Sequence, residues 1–155
     1  ALRCREEEIR PMGRVARGVK GMNVDGSSLV GMEVVSEEAT ILTVSENGYG
    51  KRTQTKEYPL RHRGGKGVLS MRTTERNGPV VGFRQVWDGD EIMLITDRGL
   101  LIRMKVNEIS TIGRVTQGVR LINIPEDERV VDMAIVAESE EEEELAEDQT
   151  AGSED

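Results

Sequence analysis

The sequence has 155 residues, 36% of them hydrophobic, which is enough apolar material for one domain with a core. No apolar run approaches the roughly 18 residues that would span a bilayer, and the lone Cys4 excludes an internal disulfide and favours the reducing cytoplasm. The formal net charge of −8 would argue against an anionic partner if that charge were spread evenly along the chain.

The first nine residues, ALRCREEEI, alternate like a strand and lack the basic-then-apolar order of a signal peptide. They match the second strand of a hairpin whose first strand would lie upstream, and the sequence starts without Met. We therefore expect a piece of a longer protein. Cys4 lies on this strand, so a buried and unreactive thiol is expected there.

A repeat of about 50 residues runs through the chain. Self-similarity at such a period is typical of propellers and solenoids. The glycines Gly18, Gly67 and Gly118 anchor the repeat at spacings of 49 and 51 residues. The aligned segments are RPMGRVARGVKGMNV at 10–24, YPLRHRGGKGVLSM at 58–71 and STIGRVTQGVRLINI at 110–124.

Hairpin patterns fill the space between the anchor segments. Residues 39 to 55 predict two strands around an Asn-Gly turn, the strongest short hairpin signal, and residues 91 to 106 predict two more around Asp-Arg-Gly. The segments GVLSM and VVGFRQV, divided by a turn at residues 75 to 78, predict a further antiparallel pair. Phe83 and Trp87 follow its alternating pattern and are expected in the core.

These hairpins, with few aromatics and many Val, Ile, Leu and Met residues, predict an all-β fold. About four short strands per repeat indicate a propeller-like ring, of which residues 1 to 137 would supply about three four-stranded antiparallel blades. Propellers typically close with about four to eight blades. We therefore expect a partial ring that is completed by further blades of a parent protein or by self-association of two copies.

Cations crowd the loop beside each anchor glycine. The candidate contact residues are Arg14, Arg17 and Lys20, preceded by Arg10, in the first loop; Arg61, Arg63, Gly64, Gly65 and Lys66, with His62, in the second; and Arg114 and Arg120 in the third. Lys and Arg gain affinity for duplex DNA by releasing counterions from phosphates, and glycine lets backbone N–H groups approach an anion. The loops predict a sequence-nonspecific surface for duplex DNA, although turns with positive φ explain Gly64 and Gly65 equally well.

Other functions have weaker support in the sequence. No recognition-helix pattern, zinc spacing or set of surface aromatics indicates base readout, so the contacts are expected to be to phosphate. Catalysis needs a positioned nucleophile and base, but the one Cys and the one His lie in different repeats, and Tyr49 and Tyr58 are expected to be structural. No catalytic or metal site is predicted. A propeller that binds other proteins through its loops is the alternative from a different class.

The excess of acidic over basic residues is confined to the end of the chain. Residues 138 to 155 hold ten acidic and no basic side chains, and removing those ten from the total of 29 leaves 19 acidic against 21 basic residues. Such a segment repels itself and predicts a disordered tail. The tail either only solubilises the chain or competes with DNA for the basic loops, in which case truncation after Ala137 raises DNA affinity.

Six strings, RPMGRVARGVKG, ENGYGKRT, RGGKGV, TERNGPVVG, DGDEIMLITDRG and IGRVTQGVRL, resemble the blade segments of a known family, the C-terminal domain of the DNA gyrase A subunit. The resemblance covers residues 1 to about 137, and the acidic end looks like the tail of its Gram-negative members. It implies a β-pinwheel, a propeller-like disc of about six blades whose basic rim bends and wraps duplex DNA.

The same resemblance implies a role inside a larger enzyme. As part of the A subunit, and together with the B subunit, the domain would serve a type II topoisomerase on the bacterial nucleoid. There a wrap of positive handedness lets ATP-driven strand passage introduce negative supercoils. ATP and Mg²⁺ would bind elsewhere in the holoenzyme, so no cofactor is expected in this chain. The catalytic tyrosine of the cleavage domain is likewise expected elsewhere.

The stretch RHRGGKG, residues 61 to 67, resembles the gyrase box of that family, Gln-basic-Arg-Gly-Gly-basic-Gly, which belongs to the first blade. Arg61 replaces the Gln and His62 a basic residue, whereas the last five positions match. The stretch therefore resembles a degenerate copy in a later blade, and the first-blade box is expected upstream. The C-terminal domain of the topoisomerase IV A subunit, which shares the blade design without that box, is the alternative in the same class.

Overall fold

Strands, loops and short 3-10 helices make up residues 1 to 136, the part of the chain that the computed structural model describes. The strands are β1 (Thr40–Ser45), β2 (Tyr49–Gln54), β3 (Val80–Val86), β4 (Glu91–Thr96), β5 (Leu101–Lys105), β6 (Val119–Arg120) and β7 (Val130–Val136). The 3-10 helices are Glu6–Glu8, Thr55–Glu57 and Val106–Glu108. Within these residues, no helix has the length and apolar character needed to cross a membrane. The predicted tail lies outside the described residues.

The strands form two antiparallel sheets, with the order β3-β1-β2-β6 in the first and β5-β4-β7 in the second. Both predicted hairpins are confirmed. β1 pairs with β2 in the register Leu42↔Arg52, and β4 pairs with β5 in the register Leu94↔Ile102. The prediction of an all-β fold is confirmed with them.

Each hairpin is completed by a strand from the next repeat. β3 pairs along the whole of β1 in the register Thr43↔Phe83, and β7 pairs with β4 in the same way. The predicted pairing of GVLSM with VVGFRQV is therefore wrong, because VVGFRQV finds a full ladder on β1. The GVLSM segment instead lies against the start of the chain, where Ala1 and Val68 exchange two backbone hydrogen bonds of 2.7 Å.

The repeat also governs how many blades are complete. Of the about three four-stranded blades predicted, the described residues contain one sheet of four strands and one of three. The first repeat adds the isolated bridge Arg3↔Leu60, which matches the bridge Arg52↔Thr111 one repeat later. The second sheet has no counterpart of β6, because β7 is the last described element. The result is a partial ring of propeller-like blades, as predicted.

The core lies between the two sheets. A Cβ atom on Gly82 of β3 would lie only 3.0 Å from the Met133 Cε of β7, so the sheets approach closely here. Burying an aliphatic side chain contributes about 1.5–3 kcal/mol. The fully or almost fully buried members of the cluster are Leu42, Val44, Val86, Ile92, Leu94, Val106 and Val130.

Single residues depart from the sequence prediction. Trp87 was expected in the core but is 46% exposed, because it comes directly after β3 and has no ladder partner. Phe83 is half-buried and packs edge-on against Tyr58, with ring centroids 6.2 Å apart. Cys4 is half-buried rather than buried. Tyr49 and Tyr58 are each 3% exposed, in keeping with a structural role.

Candidate nucleic-acid interface

Two of the three anchor glycines, Gly67 and Gly118, lie close to the backbone of the preceding repeat, whereas a Cβ atom on Gly18 would meet nothing within 4 Å. Gly118 has a φ of +77°, and a Cβ atom there would lie 2.8 Å from the carbonyl oxygen of Gly50 in β2. Gly67, with a φ of +79°, approaches the carbonyl group of Ala1 in the same manner. A side chain at either position would push its loop away from the strand. These two glycines therefore have a packing role beyond the turn.

Arg63, a predicted contact residue, ties the second loop to the first repeat. It donates from Nε to the carbonyl oxygen of Glu8 over 3.0 Å and from a terminal nitrogen to that of Lys20 over 3.1 Å. Its backbone N–H also donates to the Glu8 carboxylate over 3.0 Å, and this bond, more than the nearby His62, lowers the pKa of Glu8. Arg63 thus orders the loop, and it is only half-exposed.

Arg114 repeats the arrangement in the third loop. It donates from Nε to the carbonyl oxygen of Glu57 and from a terminal nitrogen to that of Leu69, both over 2.8 Å. Glu57 and Leu69 follow the partners of Arg63 by 49 residues in each case. Because charge-assisted hydrogen bonds are the stronger kind, these two arginines fix successive loops in equivalent positions.

The backbone of the second loop is also bonded to the first. The N–H of Gly64 donates to the carbonyl oxygen of Gly21 over 2.6 Å, and the N–H of Asn23 donates to that of Gly65 over 2.9 Å. The Gly64 amide, a candidate anion donor in the sequence, is therefore already used within the protein. These bonds place the cations of the two loops on one continuous surface.

Two further candidates of the second loop have acidic neighbours. Lys66 forms an ion pair with Asp25 at 2.7 Å, and both side chains are about two-thirds exposed. His62 is 97% exposed, with Nδ1 3.2 Å from a Glu8 carboxylate oxygen. Exposed pairs of this kind contribute about 0–1 kcal/mol, so a phosphate group competes with them at little cost.

Among the candidate contact residues, the cations without partners in residues 1 to 136 lie mainly in the first loop. Arg10, Arg14, Arg17 and Lys20 are exposed, and so is Arg61 at the start of the second loop. None of these side chains makes a hydrogen bond or an ion pair within residues 1 to 136. Their charges are therefore available to an external anion.

The third loop is supported from inside by a lysine that the sequence did not single out. Lys51 of β2 is fully buried, and its Nζ donates to the carbonyl oxygens of Gly113 and Arg114 and to the Thr116 hydroxyl. Burial lowers the pKa of Lys51 to about 8, Glu57 raises it and Arg114 lowers it further. The first five of the six residues of β2 are buried, so no alternation in the sequence marked this lysine as inward-facing.

Arg120, the last candidate, lies on β6 and is exposed. It pairs with Tyr49 in the ladder, and one of its terminal nitrogens donates to the Tyr49 hydroxyl over 2.7 Å. Among residues 1 to 136, no group of three or more His, Cys, Asp or Glu residues could hold a metal ion.

Comparison with known proteins identifies the family. The sequence profile described as "DNA gyrase C-terminal domain, beta-propeller" matches residues 1–36, 39–86 and 90–137. The chain belongs to the DNA gyrase C-terminal domain family. The three matched segments follow the repeat of about 50 residues, one segment to each repeat.

Curated relatives of this gyrase-type domain agree. The chain is 51% identical over 145 residues to the DNA gyrase A subunit of Salmonella typhimurium, covering 93% of this chain and 16% of the relative. It is 50% identical to the DNA gyrase A subunit of Escherichia coli K12, covering 93% of this chain and 17% of the relative. The chain thus spans about a sixth of the length of these relatives.

Solved structures give the same fold for the domain. A DNA gyrase A C-terminal domain superposes with a TM-score of 0.80 at 28% identity, over 86% of this chain and 46% of that one. The C-terminal domain of a DNA topoisomerase IV superposes with a TM-score of 0.82 at 27% identity, over 97% of this chain and 48% of that one. The blade design is shared by both proteins, whereas the Salmonella and Escherichia relatives are gyrase subunits.

Proposed function

We propose that this gyrase-type C-terminal domain binds duplex DNA through its phosphate backbone, without sequence preference, and bends the duplex along the three loops. One observation carries the proposal. Arg14, Arg17, Lys20 and Arg61 are exposed cations without partners in the described part of the chain, on two loops that are hydrogen-bonded to each other. Cations that need not leave a carboxylate can bind phosphates at no electrostatic cost within the protein.

The repeat supplies the geometry for bending. Arg63 and Arg114 hold the second and third loops by equivalent contacts, so these two loops take equivalent positions in successive repeats. Phosphate contacts position a duplex but carry no sequence information. Contacts repeated along a curved series of blades favour a bent duplex, because bending brings more phosphates within reach.

In the whole protein, we assign the domain to the A subunit of a bacterial DNA gyrase. There it would work in the cytoplasm with the rest of that polypeptide and with the B subunit, on DNA of the nucleoid, and would present a wrapped segment for ATP-dependent negative supercoiling. The chain itself would bind DNA without catalysing a reaction, and ATP and Mg²⁺ would bind other parts of the holoenzyme. Self-association of two copies of this chain is a second way to complete the ring. Light scattering, with and without a short duplex, would reveal it.

A salt titration tests the binding. Affinity of the chain for duplexes of unrelated sequence, measured by fluorescence anisotropy, should fall steeply between about 50 and 200 mM salt. The double variant Arg14→Ala/Arg17→Ala should bind every duplex more weakly and reduce the log–log salt slope by roughly 0.9 per lost contact. The matched control Lys56→Ala/Lys105→Ala removes two exposed cations outside the three loops and should bind like the unaltered chain.

Three results would contradict the proposal. Binding that does not respond to salt would favour a protein-interaction scaffold. A loss confined to some sequences would indicate base readout. An equal loss of affinity in the control variant would show that binding depends only on the net charge of the chain.

Wrapping needs a separate measurement. Ligating a nicked plasmid in the presence of the chain traps the writhe that the protein imposes, and gel electrophoresis after protein removal reads it out. A gyrase-type wrap should leave positive supercoils. An unchanged linking number, with binding intact, would favour the topoisomerase IV alternative or a bend without a wrap.

A further inference from the structure

Two arginines meet at the buried Tyr49. Arg76 donates from Nε to the Tyr49 hydroxyl over 3.0 Å, and Arg120 donates to the same oxygen over 2.7 Å. The guanidinium carbons lie 5.1 and 5.0 Å from the centroid of the Tyr49 ring, within the range of a cation–π contact. Because both arginines bond one oxygen, their donor nitrogens are separated by less than the sum of the two bond lengths. The bond from Arg76, followed by that from Arg120, lowers the pKa of the Tyr49 hydroxyl.

The surrounding backbone holds both arginines in place. Arg120 is fixed by its ladder pairing with Tyr49 on β2. The turn that carries Arg76 is fixed by Asn47, whose Nδ2 donates to the carbonyl oxygens of Glu75 and Arg76, both over 3.2 Å. A site built on a strand pair and a bonded turn is preorganised, which reduces the entropy lost on binding.

The buried Asn77 links this turn to the third loop. Its Nδ2 donates to the carbonyl oxygens of Arg72 and Gln117, over 2.9 and 3.0 Å. The Arg76 turn is therefore hydrogen-bonded to the loop that leads to Arg120. The fold thus brings together two guanidinium groups that 44 positions separate in the sequence.

The two positive charges lack an acidic partner. No carboxylate lies within ion-pair distance of Arg76 or Arg120 in residues 1 to 136, and the other side-chain bond of Arg120 is a 3.3 Å contact to the Asn123 amide oxygen. Like charges brought together repel each other. Both arginines are exposed, and Arg76 keeps the N–H groups of its terminal nitrogens for an external acceptor.

Within residues 1 to 136, the next repeat does not reproduce the arrangement. By the ladder registers, Val80 of β3 corresponds to Val130 of β7, so Arg76 corresponds to Glu126. Tyr49, which follows the first hairpin turn, corresponds to Leu100 after the second. The repeat does not require this pair of cations. The pair therefore has a local role and is not a general feature of the blades.

We propose that Arg76 and Arg120, positioned by Tyr49, form a phosphate-binding site that grips one backbone phosphate of the bound duplex. This inference rests on the proposed function and adds to it a contact outside the recurrent loops, because Arg76 lies in the turn that precedes β3. Two guanidinium groups offer forked donors that suit the tetrahedral phosphate group. A phosphate group bound between the two guanidinium groups also offsets their mutual repulsion.

A double-mutant cycle in the chain tests whether the two arginines act as one site. Arg76→Ala and Arg120→Ala should each weaken duplex binding, and the double variant should reduce the salt slope by roughly 0.9, because one phosphate contact is lost in total. If both bind the same phosphate, the double variant should lose less than the product of the single losses, by at least about 3-fold. Losses that multiply would overturn the shared site, and so would an Arg76→Ala variant that binds like the Lys105→Ala control. Circular dichroism should show that all variants remain folded.

A probe smaller than DNA separates this inference from the proposed function. Titration of the ¹⁵N-labelled chain with inorganic phosphate should shift the Nε–H signals of Arg76 and Arg120 together and with one saturation curve, while that of the distant Arg103 stays constant. Tyr49→Phe, which keeps the ring and removes the shared oxygen, should weaken phosphate binding without unfolding the chain. Shifts of equal size in all exposed arginines would overturn the site. Failure of the chain to bind duplex DNA, with the phosphate shifts intact, would overturn the proposed function and the duplex as the ligand, and would leave the phosphate-binding site itself standing.

Discussion

Lys51 Nζ lies 2.7 Å from the carbonyl oxygen of Gly113, which places a buried ammonium group of one hairpin inside the cationic loop of the next repeat. The same nitrogen donates to the Thr116 hydroxyl over 3.0 Å. The loop that presents Arg114 is therefore closed around a charge that water does not reach. Its stability should depend on whether that charge is present.

The first prediction concerns pH. The folded-state pKa of Lys51 is about 8, below its ordinary value of 10.5. Between these two pH values the unfolded chain binds more protons than the folded one, so the free energy of unfolding rises with pH across this window, by up to roughly 3 kcal/mol. Below pH 8 and above 10.5 this contribution is flat. Urea unfolding at a series of pH values measures it.

The Lys51→Met variant is the control, because it keeps an unbranched side chain without the titrating group. The difference in unfolding free energy between the unaltered chain and this variant isolates Lys51 from the other groups that titrate above about pH 8. NMR titration of the lysine side chains gives an independent check. A Lys51 signal that titrates at the ordinary lysine value of 10.5 would contradict the prediction.

The second prediction separates ordering arginines from exposed ones. Arg114→Ala leaves the carbonyl oxygens of Glu57 and Leu69 without their donors, so it should lower the free energy of unfolding by about 1–3 kcal/mol. Arg17→Ala removes the same charge from an exposed side chain and should change stability by less than about 0.5 kcal/mol. Urea unfolding compares the two. Equal stability losses would show that the Arg114 contacts contribute nothing.

The third prediction tests the packing role of an anchor glycine. Gly118 and Gly99 have similar φ angles, +77° and +85°, so alanine should cost about 1–2 kcal/mol at either site through backbone strain. Only Gly118 also faces a carbonyl oxygen, that of Gly50, and a methyl group there should raise the total to about 3 kcal/mol or more. Thermal unfolding of both variants decides. Equal losses of stability in the two variants would show that Gly118 acts only as a turn residue.

The fourth prediction concerns Asn77, which is 0% exposed. Its side chain accepts from the Thr74 N–H over 2.7 Å and donates to two carbonyl groups, so Asn77→Ala should cost about 2–4 kcal/mol by leaving buried groups unpaired. The exposed Asn123, with one long contact, is the matched site, and Asn123→Ala should cost less than about 0.5 kcal/mol. Hydrogen exchange at the Thr74 amide should accelerate in the first variant alone. An unchanged exchange rate would argue against the role of Asn77.

The repeat and the two hairpins could be predicted from sequence because their signals are local. An Asn-Gly turn between apolar strands fixes β1 and β2 without reference to the rest of the chain. The partner of β3 could not be predicted in this way, because VVGFRQV fits any free strand edge and only the three-dimensional arrangement offers it β1. Trp87 was misplaced for a related reason, since the alternating pattern of β3 continues in the sequence beyond the point where the ladder ends.

The sequence predicted which residues make up the candidate site better than it predicted what each of them does. The sequence located the cations of all three loops, but it gave Arg17 and Arg114 the same role. The structure distinguishes them, because Arg114 bonds to carbonyl groups of the preceding repeat and Arg17 bonds to none in residues 1 to 136. Arg76 was missed because it does not follow the period of the anchor glycines. Its proximity to Arg120 depends on a turn and a strand that meet only in the fold.

The pairing of each hairpin with a later strand also sets an order of events during synthesis. When β1 and β2 leave the ribosome, the edge of β1 stays unpaired until β3 follows, and β4 waits in the same way for β7. Closing such distant pairs costs chain entropy that local hairpin formation does not. Folding of this domain therefore trails translation by one repeat, and the newest hairpin always presents an open edge that the next segment of the same chain must reach before another chain does.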